Sequence, residues 1–139
     1  MNTVKVQIPQ LHPAQLTVKN NRKRFNCLCN GRRWGKNVLL QDFAVEAALA
    51  HKQPCAWAAP TYKVLTDDWR ILTDLLASVT TKRSEQDKHI RLIGGGVIDM
   101  WSMDSADSIR GRKYARFMVN EAAFVPNLMD SWNMIIRPT

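Results

Sequence analysis

Short apolar runs and longer apolar stripes alternate along this chain. Residues 25–29 form a short apolar run, with the length and character of a buried strand. Residues 37–51 are apolar nearly all round, which predicts a helix packed on a sheet. Residues 55–58 predict a short strand, closed by Pro60. Trp69, Leu72, Leu75, Leu76 and Val79 recur at helical spacing, so residues 65–79 predict a helix with one core-facing stripe. Residues 80–88 are polar and mixed in charge and read as an exposed loop. Residues 91–93 and 97–103 flank Gly94-Gly95-Gly96 and predict a hairpin. Residues 117–120 read as a central strand, and residues 128–136 as a last helix stopped by Pro138. Residues 1–20, with Pro9 and Pro13, read as an irregular lead-in. This alternation predicts an α/β domain with a mainly parallel sheet and right-handed crossovers. Internal repeats and low-complexity segments are absent from the sequence.

Between the first strand and helix of that pattern lies Asn30-Gly31-Arg32-Arg33-Trp34-Gly35-Lys36-Asn37. Strand, glycine turn, lysine and helix is the layout of a phosphate-binding loop. Glycine lets backbone N–H groups approach phosphate oxygens, and lysine adds a point charge. The following helix start contributes unpaired N–H groups and a positive dipole end. Asn30 stands where the first glycine of the pattern usually is. Asn37 stands where Ser or Thr normally touches magnesium.

A second element supports the first. Ala115-Arg116-Phe117-Met118-Val119-Asn120-Glu121-Ala122-Ala123-Phe124 reads as an apolar strand ending in an acidic residue. In P-loop hydrolases such a strand ends Asp-Glu: the Asp orients magnesium, the Glu activates water. Here Asn120 takes the first place and Glu121 alone is charged. The alternative is a buried strand running into a helix, with Glu121 answering its dipole.

Taken together, these motifs resemble the large terminase subunit of tailed bacteriophages, the motor that packages DNA into capsids. Gly31 to Lys36 carries the most specific part of the likeness. His12-Pro13-Ala14-Gln15 with Arg24-Phe25 is similar to that family's adenine-contact region. Ala59-Pro60-Thr61-Tyr62 with Trp69, and Ser108-Ile109-Arg110-Gly111 before Asn120-Glu121, complete the family's order. The resemblance implies a three-layer P-loop NTPase core that binds ATP and magnesium. It implies catalytic roles for Glu121 and Arg32. Cofactor contacts would come from Gln15, Asn30, Gly31, Arg33, Trp34, Gly35, Lys36 and Asn37, and weak magnesium contacts from Asn37 and Asn120. Either Arg32 or Arg33 would reach the γ phosphate, and the other an acidic partner. Both could also point to solvent. Trp34 would cover the loop or pack beneath it. Arg110 would couple phosphate state to DNA or shape its turn. Implied partners are double-stranded DNA, the small terminase subunit and the portal or procapsid.

A full family member continues past this second strand into a coupling segment and a nuclease domain. With Thr139 as the last residue, the expectation is a single, partial ATPase domain over residues 1–139, without the nuclease. The asparagines at 30, 37 and 120 also depart from the family pattern. An Asn side chain reaches one bond further than a Ser or Thr hydroxyl, and its amide lacks the charge that favours a hard cation. Metal stabilisation of charge is worth on the order of several kcal/mol in phosphoryl chemistry. Weak hydrolysis with nucleotide binding better spared is therefore the expectation. Asn37→Thr together with Asn120→Asp would be expected to raise activity.

Composition narrows the rest. With 139 residues and 45% hydrophobic content, the chain can bury one core. No apolar stretch approaches the roughly 20 residues of a membrane span, and the host cytoplasm is the expected location. Cys27, Cys29 and Cys55 read as buried free thiols rather than a disulfide or zinc set. The net charge of +8 points to polyanions. No acidic residue precedes Asp42, whereas Lys19, Arg22, Lys23 and Arg24 all do. That charge could meet nucleotide phosphates or the DNA backbone, or form a solvated face. Two function classes stay open: the ATPase module of a packaging motor, and a non-catalytic P-loop module that binds nucleotide or DNA.

Overall fold

The structure, a computed structural model, describes residues 6–29, 31 and 33–137. Helix α1, Pro13–Asn20, corrects the irregular lead-in predicted for residues 1–20. The correction has a local cause. The His12 ring accepts the Gln15 N–H at 3.2 Å, and Gln15 Oε1 accepts the His12 N–H at 2.8 Å. This reciprocal cap satisfies two helix-end donors, and Pro13 starts the helix at no hydrogen-bond cost.

The predicted strand at residues 25–29 is absent: the segment has no regular structure. Asn26 explains part of this. Its Oδ1 accepts the Lys23 N–H at 2.8 Å, and its Nδ2 donates to the Lys23 carbonyl at 2.7 Å. Local side-chain bonds of this kind compete with a ladder. Phe25 instead packs edge-on against Trp132, with centroids 5.5 Å apart. Cys27 and Cys29 are free but exposed, contrary to the expectation of burial; Cys55 is free and buried. Burial pushes the Cys55 thiol up to about 12, against the Arg116 charge.

Helix α2, Lys36–Val45, continues as a π-helical turn, Glu46–Ala50. Strand β1, Pro54–Ala59, leads into helix α3, Tyr62–Leu75, capped by the Thr61 hydroxyl. The remaining strands are β2 (Thr80–Ser84), β3 (His89–Leu92), β4 (Val97–Ser102) and β5 (Arg116–Val119). A short helix α4, Leu128–Ser131, runs on as a π turn to Ile136, matching the predicted last helix.

The sheet order is β2-β3-β4-β1-β5. Strand β1 is parallel to both β4 and β5, while β2, β3 and β4 form an antiparallel meander. The sheet is therefore mixed rather than mainly parallel, although the β3–β4 hairpin was predicted. Strand β5, expected to be central, is an edge strand among the described residues. Strand β2 replaces an expected exposed loop. It carries Thr, Lys, Arg and Ser, mostly exposed, so it has no alternating pattern to find.

Strand β1 divides two core clusters by its alternation. Cys55, Trp57 and Ala59 pack with Ala44 and Ala48 of the α2 segment and Leu65, Trp69 and Leu72 of α3. Ala58 faces Met103, Ile109, Ile135 and Ile136 on the other side. The stripe predicted on α3 is indeed core. At the hairpin turn, a Cβ on Gly96 would lie 1.7 Å from the Ala48 carbonyl oxygen, so the turn and the end of the α2 segment meet only through glycine. Among the described residues, no helix is long and apolar enough to cross a membrane.

Candidate nucleotide site

Parallel strands β1 and β5 end on the same side of the sheet, at Ala59 and Val119. Ligands of α/β sheets bind in the crevice beyond such strand ends. A cleft of about 540 Å³ opens there. It is lined by Asn37 from α2, Pro60 and Thr61 after β1, Val64, Asp67, Asp68 and Ile71 from α3, and Asn120, Glu121 and Phe124 after β5. Three sequence-predicted residues, Asn37, Asn120 and Glu121, are thus brought together. Lys36 precedes Asn37 as the first residue of α2, at the helix's positive end.

Glu121 has φ 53° and ψ 44°, a left-handed conformation that most side chains avoid. It is held there by its position between β5 and a tight turn over Ala122–Phe124.

The loop before α2 is tied to α1. Gln15 is buried, and its Nε2 donates to the Gly35 carbonyl at 2.8 Å while its Oε1 serves the helix cap. His12 Nε2 bonds the Trp34 carbonyl at 2.8 Å, and the two rings meet edge-on at 5.1 Å. Trp34 therefore contacts His12, the cap of α1. Gly35 has φ 94°, and a Cβ there would lie 2.3 Å from Gln15 Nε2. Gly31 and Arg33 are exposed, the latter at φ 60°. Asn30 and Arg32 lie outside the described residues. Arg110 is exposed and pairs with Asp107 at 3.0 Å, in keeping with a turn-shaping role.

Two of the basic residues before residue 42, Lys19 and Arg22, are ion-paired inside the fold. Lys19 pairs with Asp42 at 2.5 Å and Glu46 at 3.2 Å, and Arg22 and Arg116 reach Glu46 at 2.5 and 3.3 Å. Burial pushes the Glu46 carboxyl up, but the Lys19 hydrogen bond and the Arg22 and Arg116 charges outweigh it and hold it low.

The sequence reading missed Asp68. It is buried at 5% exposure. Its Oδ2 accepts the Trp57 Nε1–H at 3.0 Å and the Asn120 Nδ2–H at 2.9 Å. Burial pushes its carboxyl above the usual range, against those two bonds; Asp67 and Glu121 push the same way as burial. A signal was present: Asp68 falls at i+3 between Leu65 and Trp69, an acid inside an apolar stripe.

The cleft's donors are all oxygen or amide groups, the set a hard cation accepts. Among the described residues no three acidic, His or Cys groups gather to hold a metal by themselves. The donor set therefore fits magnesium that keeps waters and phosphate oxygens, which is how magnesium is usually bound.

No protein-family model matches the chain. In sequence it is 27% identical over 125 residues to the terminase large subunit of Escherichia phage T5, covering 88% of this chain and 28% of that protein. In structure it is similar to the large terminase ATPase domain of Thermus phage P74-26, with a TM-score of 0.77 at 20% identity. That match covers 93% of this chain and 59% of the other. An arginine-to-alanine mutant of the same domain superposes with a TM-score of 0.79 at 19% identity. The chain spans less than a third of the T5 subunit and somewhat over half of the Thermus phage chain.

Proposed function

From its homology to the ATPase part of phage large terminase subunits, we infer that this chain is the ATP-binding module of a terminase-like DNA-packaging motor. The observation that carries this reading is the cleft joining Asn37, Asn120 and Glu121 at the end of two parallel strands. Lys36 places its charge on the phosphates beside the α2 N-terminus, and backbone N–H groups at Gly31 and Gly35 line their approach. Arg33 and Trp34 belong to the same loop; Asn30 and Arg32, outside the described residues, would complete its contacts, with Arg32 or Arg33 meeting the γ phosphate. Gln15 holds the loop against α1 at the adenine end. Glu121 is the general base that polarises the attacking water. Asn37 and Asn120 offer amide oxygens to magnesium. When bound, magnesium supplies charge neutralisation across the phosphates.

Two amides where charge or a hydroxyl is customary support a module that binds ATP better than it hydrolyses it. They also favour the second reading, a P-loop module without turnover. Double-stranded DNA, the small terminase subunit and the portal or procapsid are the partners this function entails.

Titration calorimetry with ATP and magnesium tests the reading. Binding that is weakened by Lys36→Ala in a still-folded protein is the expected result. No binding at millimolar ATP by the folded, unmodified chain would overturn it.

A further inference from the structure

Asn120 and Asp68 lie 52 positions apart in sequence and meet inside the fold. Asn120 is itself buried and fixed through its backbone, whose N–H donates to the Ala58 carbonyl at 2.8 Å. An ionised carboxylate only accepts hydrogen bonds, so the Asn120 amide must turn its NH₂ end to Asp68. The carbonyl oxygen of the same planar group then faces away from Asp68. Asn120 lines the cleft, so Oδ1 is the atom it can offer there. Trp57 Nε1–H fixes Asp68 from the other side, on the same Oδ2. Asp68 also lines the cleft.

We propose that Asp68 is a positioning residue of the nucleotide site: it orients the Asn120 carbonyl toward the bound magnesium and supplies, from α3, the negative charge that β5 lacks. A neutral amide is a weak partner for a hard cation, but an amide polarised by a carboxylate behind it is a stronger one. Carboxylates one shell out from a metal raise the basicity of its ligands in this way. The pair Asn120–Asp68 then does the work of one carboxylate, divided between two elements. This inference rests on the nucleotide reading above and deepens it.

The test compares ATP affinity with magnesium and with a chelator, by calorimetry, in variants checked for folding by circular dichroism. Asp68→Asn keeps the shape and an acceptor for Trp57 and Asn120 while removing the charge. It should lower the magnesium-dependent gain in ATP affinity by about 10-fold or more, the usual effect of losing such an outer partner. Metal-free ATP affinity should stay within about twofold, since that contact does not involve the pair. The exchange Asp68→Asn with Asn120→Asp returns a carboxylate to β5 and keeps one amide facing one carboxylate. It should restore the magnesium gain. Asp74→Asn, exposed on the same helix and outside the cleft lining, should leave the gain in place. A gain that survives Asp68→Asn, or that the exchange fails to restore in a folded protein, overturns the proposal. If the unmodified chain binds no ATP at all, the nucleotide reading falls and this inference with it.

Discussion

Asn120→Asp restores the acidic residue usual at this strand end, yet the structure predicts that it damages the protein. The Asn120 amide nitrogen lies 2.9 Å from Asp68 Oδ2 in a buried setting. Substitution turns that donor into a second acceptor and sets two carboxylates in contact. At an effective dielectric near 20, two such charges about 4 Å apart repel by about 4 kcal/mol. The pair can escape only by keeping one proton. Holding an ordinary carboxyl protonated at neutral pH costs about 4 kcal/mol as well, at roughly 1.4 kcal/mol per pH unit. Asp68 already sits above the usual range because of its burial, which eases the proton uptake. A shared proton also returns a hydrogen bond worth about 1 kcal/mol. The net expectation is a loss of about 3 kcal/mol at pH 7. The sign follows from linkage: the variant's folded state binds a proton that its unfolded state releases near pH 4, so its stability falls as pH rises above that range. At pH 5 the loss should shrink by about 2.8 kcal/mol, to a few tenths of a kcal/mol. Urea denaturation without metal, at both pH values, measures this directly. A variant as stable as the unmodified chain at both would refute the opposed-carboxylate reasoning. The same clash means that Asn37→Thr with Asn120→Asp should not raise activity unless Asp68 changes too.

Three further predictions concern stability. Glu121→Gly removes a left-handed strain of about 1 kcal/mol and should raise the melting temperature by a few degrees while abolishing any hydrolysis; a lower melting temperature would show that the Glu121 backbone is not strained. Gly96→Ala forces a Cβ onto the Ala48 carbonyl and should cost about 3 kcal/mol in denaturant titration, with a neutral outcome contradicting the close approach. Glu46→Gln should cost about 1–3 kcal/mol at pH 7, because Lys19, Arg22 and Arg116 lose their shared partner. The Glu46 carboxyl is held low, so its contribution is present above its ordinary value of 4.5 and lost as pH falls through its folded value. Lys19 is pushed up, chiefly by its Asp42 bond, so its contribution is present below 10.5 and lost as pH rises beyond its folded value. Unmodified protein and Glu46→Gln should therefore converge in stability at strongly acidic pH; a constant difference would exclude the ion cluster as the cause.

Sequence alone determined the elements whose residues carry their own pattern. The stripe from Trp69 to Val79 predicted α3, since burial at helical spacing leaves a periodic record, although the helix itself ends at Leu75 and Val79 lies in the turn after it. The Gly94-Gly95-Gly96 turn specified the β3–β4 hairpin, and the run of small apolar residues after Cys55 specified β1. Asn37 and Glu121 were legible as neighbours in the cleft because helix starts and strand ends follow from local order. What depends on a partner far along the chain was not legible. Strand β2 has no alternation because both its faces are largely wet; only pairing with β3 makes it a strand. Residues 25–29 are apolar enough for a strand, but Asn26 closes a turn with Lys23 and no ladder forms. Asp68 belongs to the cleft only because α3 packs on the face of β1 while β5 pairs along its edge, bringing its carboxylate to the Asn120 amide. Periodicity records how much of a residue is buried, whereas hydrogen-bond partners separated by 52 positions are chosen by packing, and that choice decides which carboxylate the cleft can use.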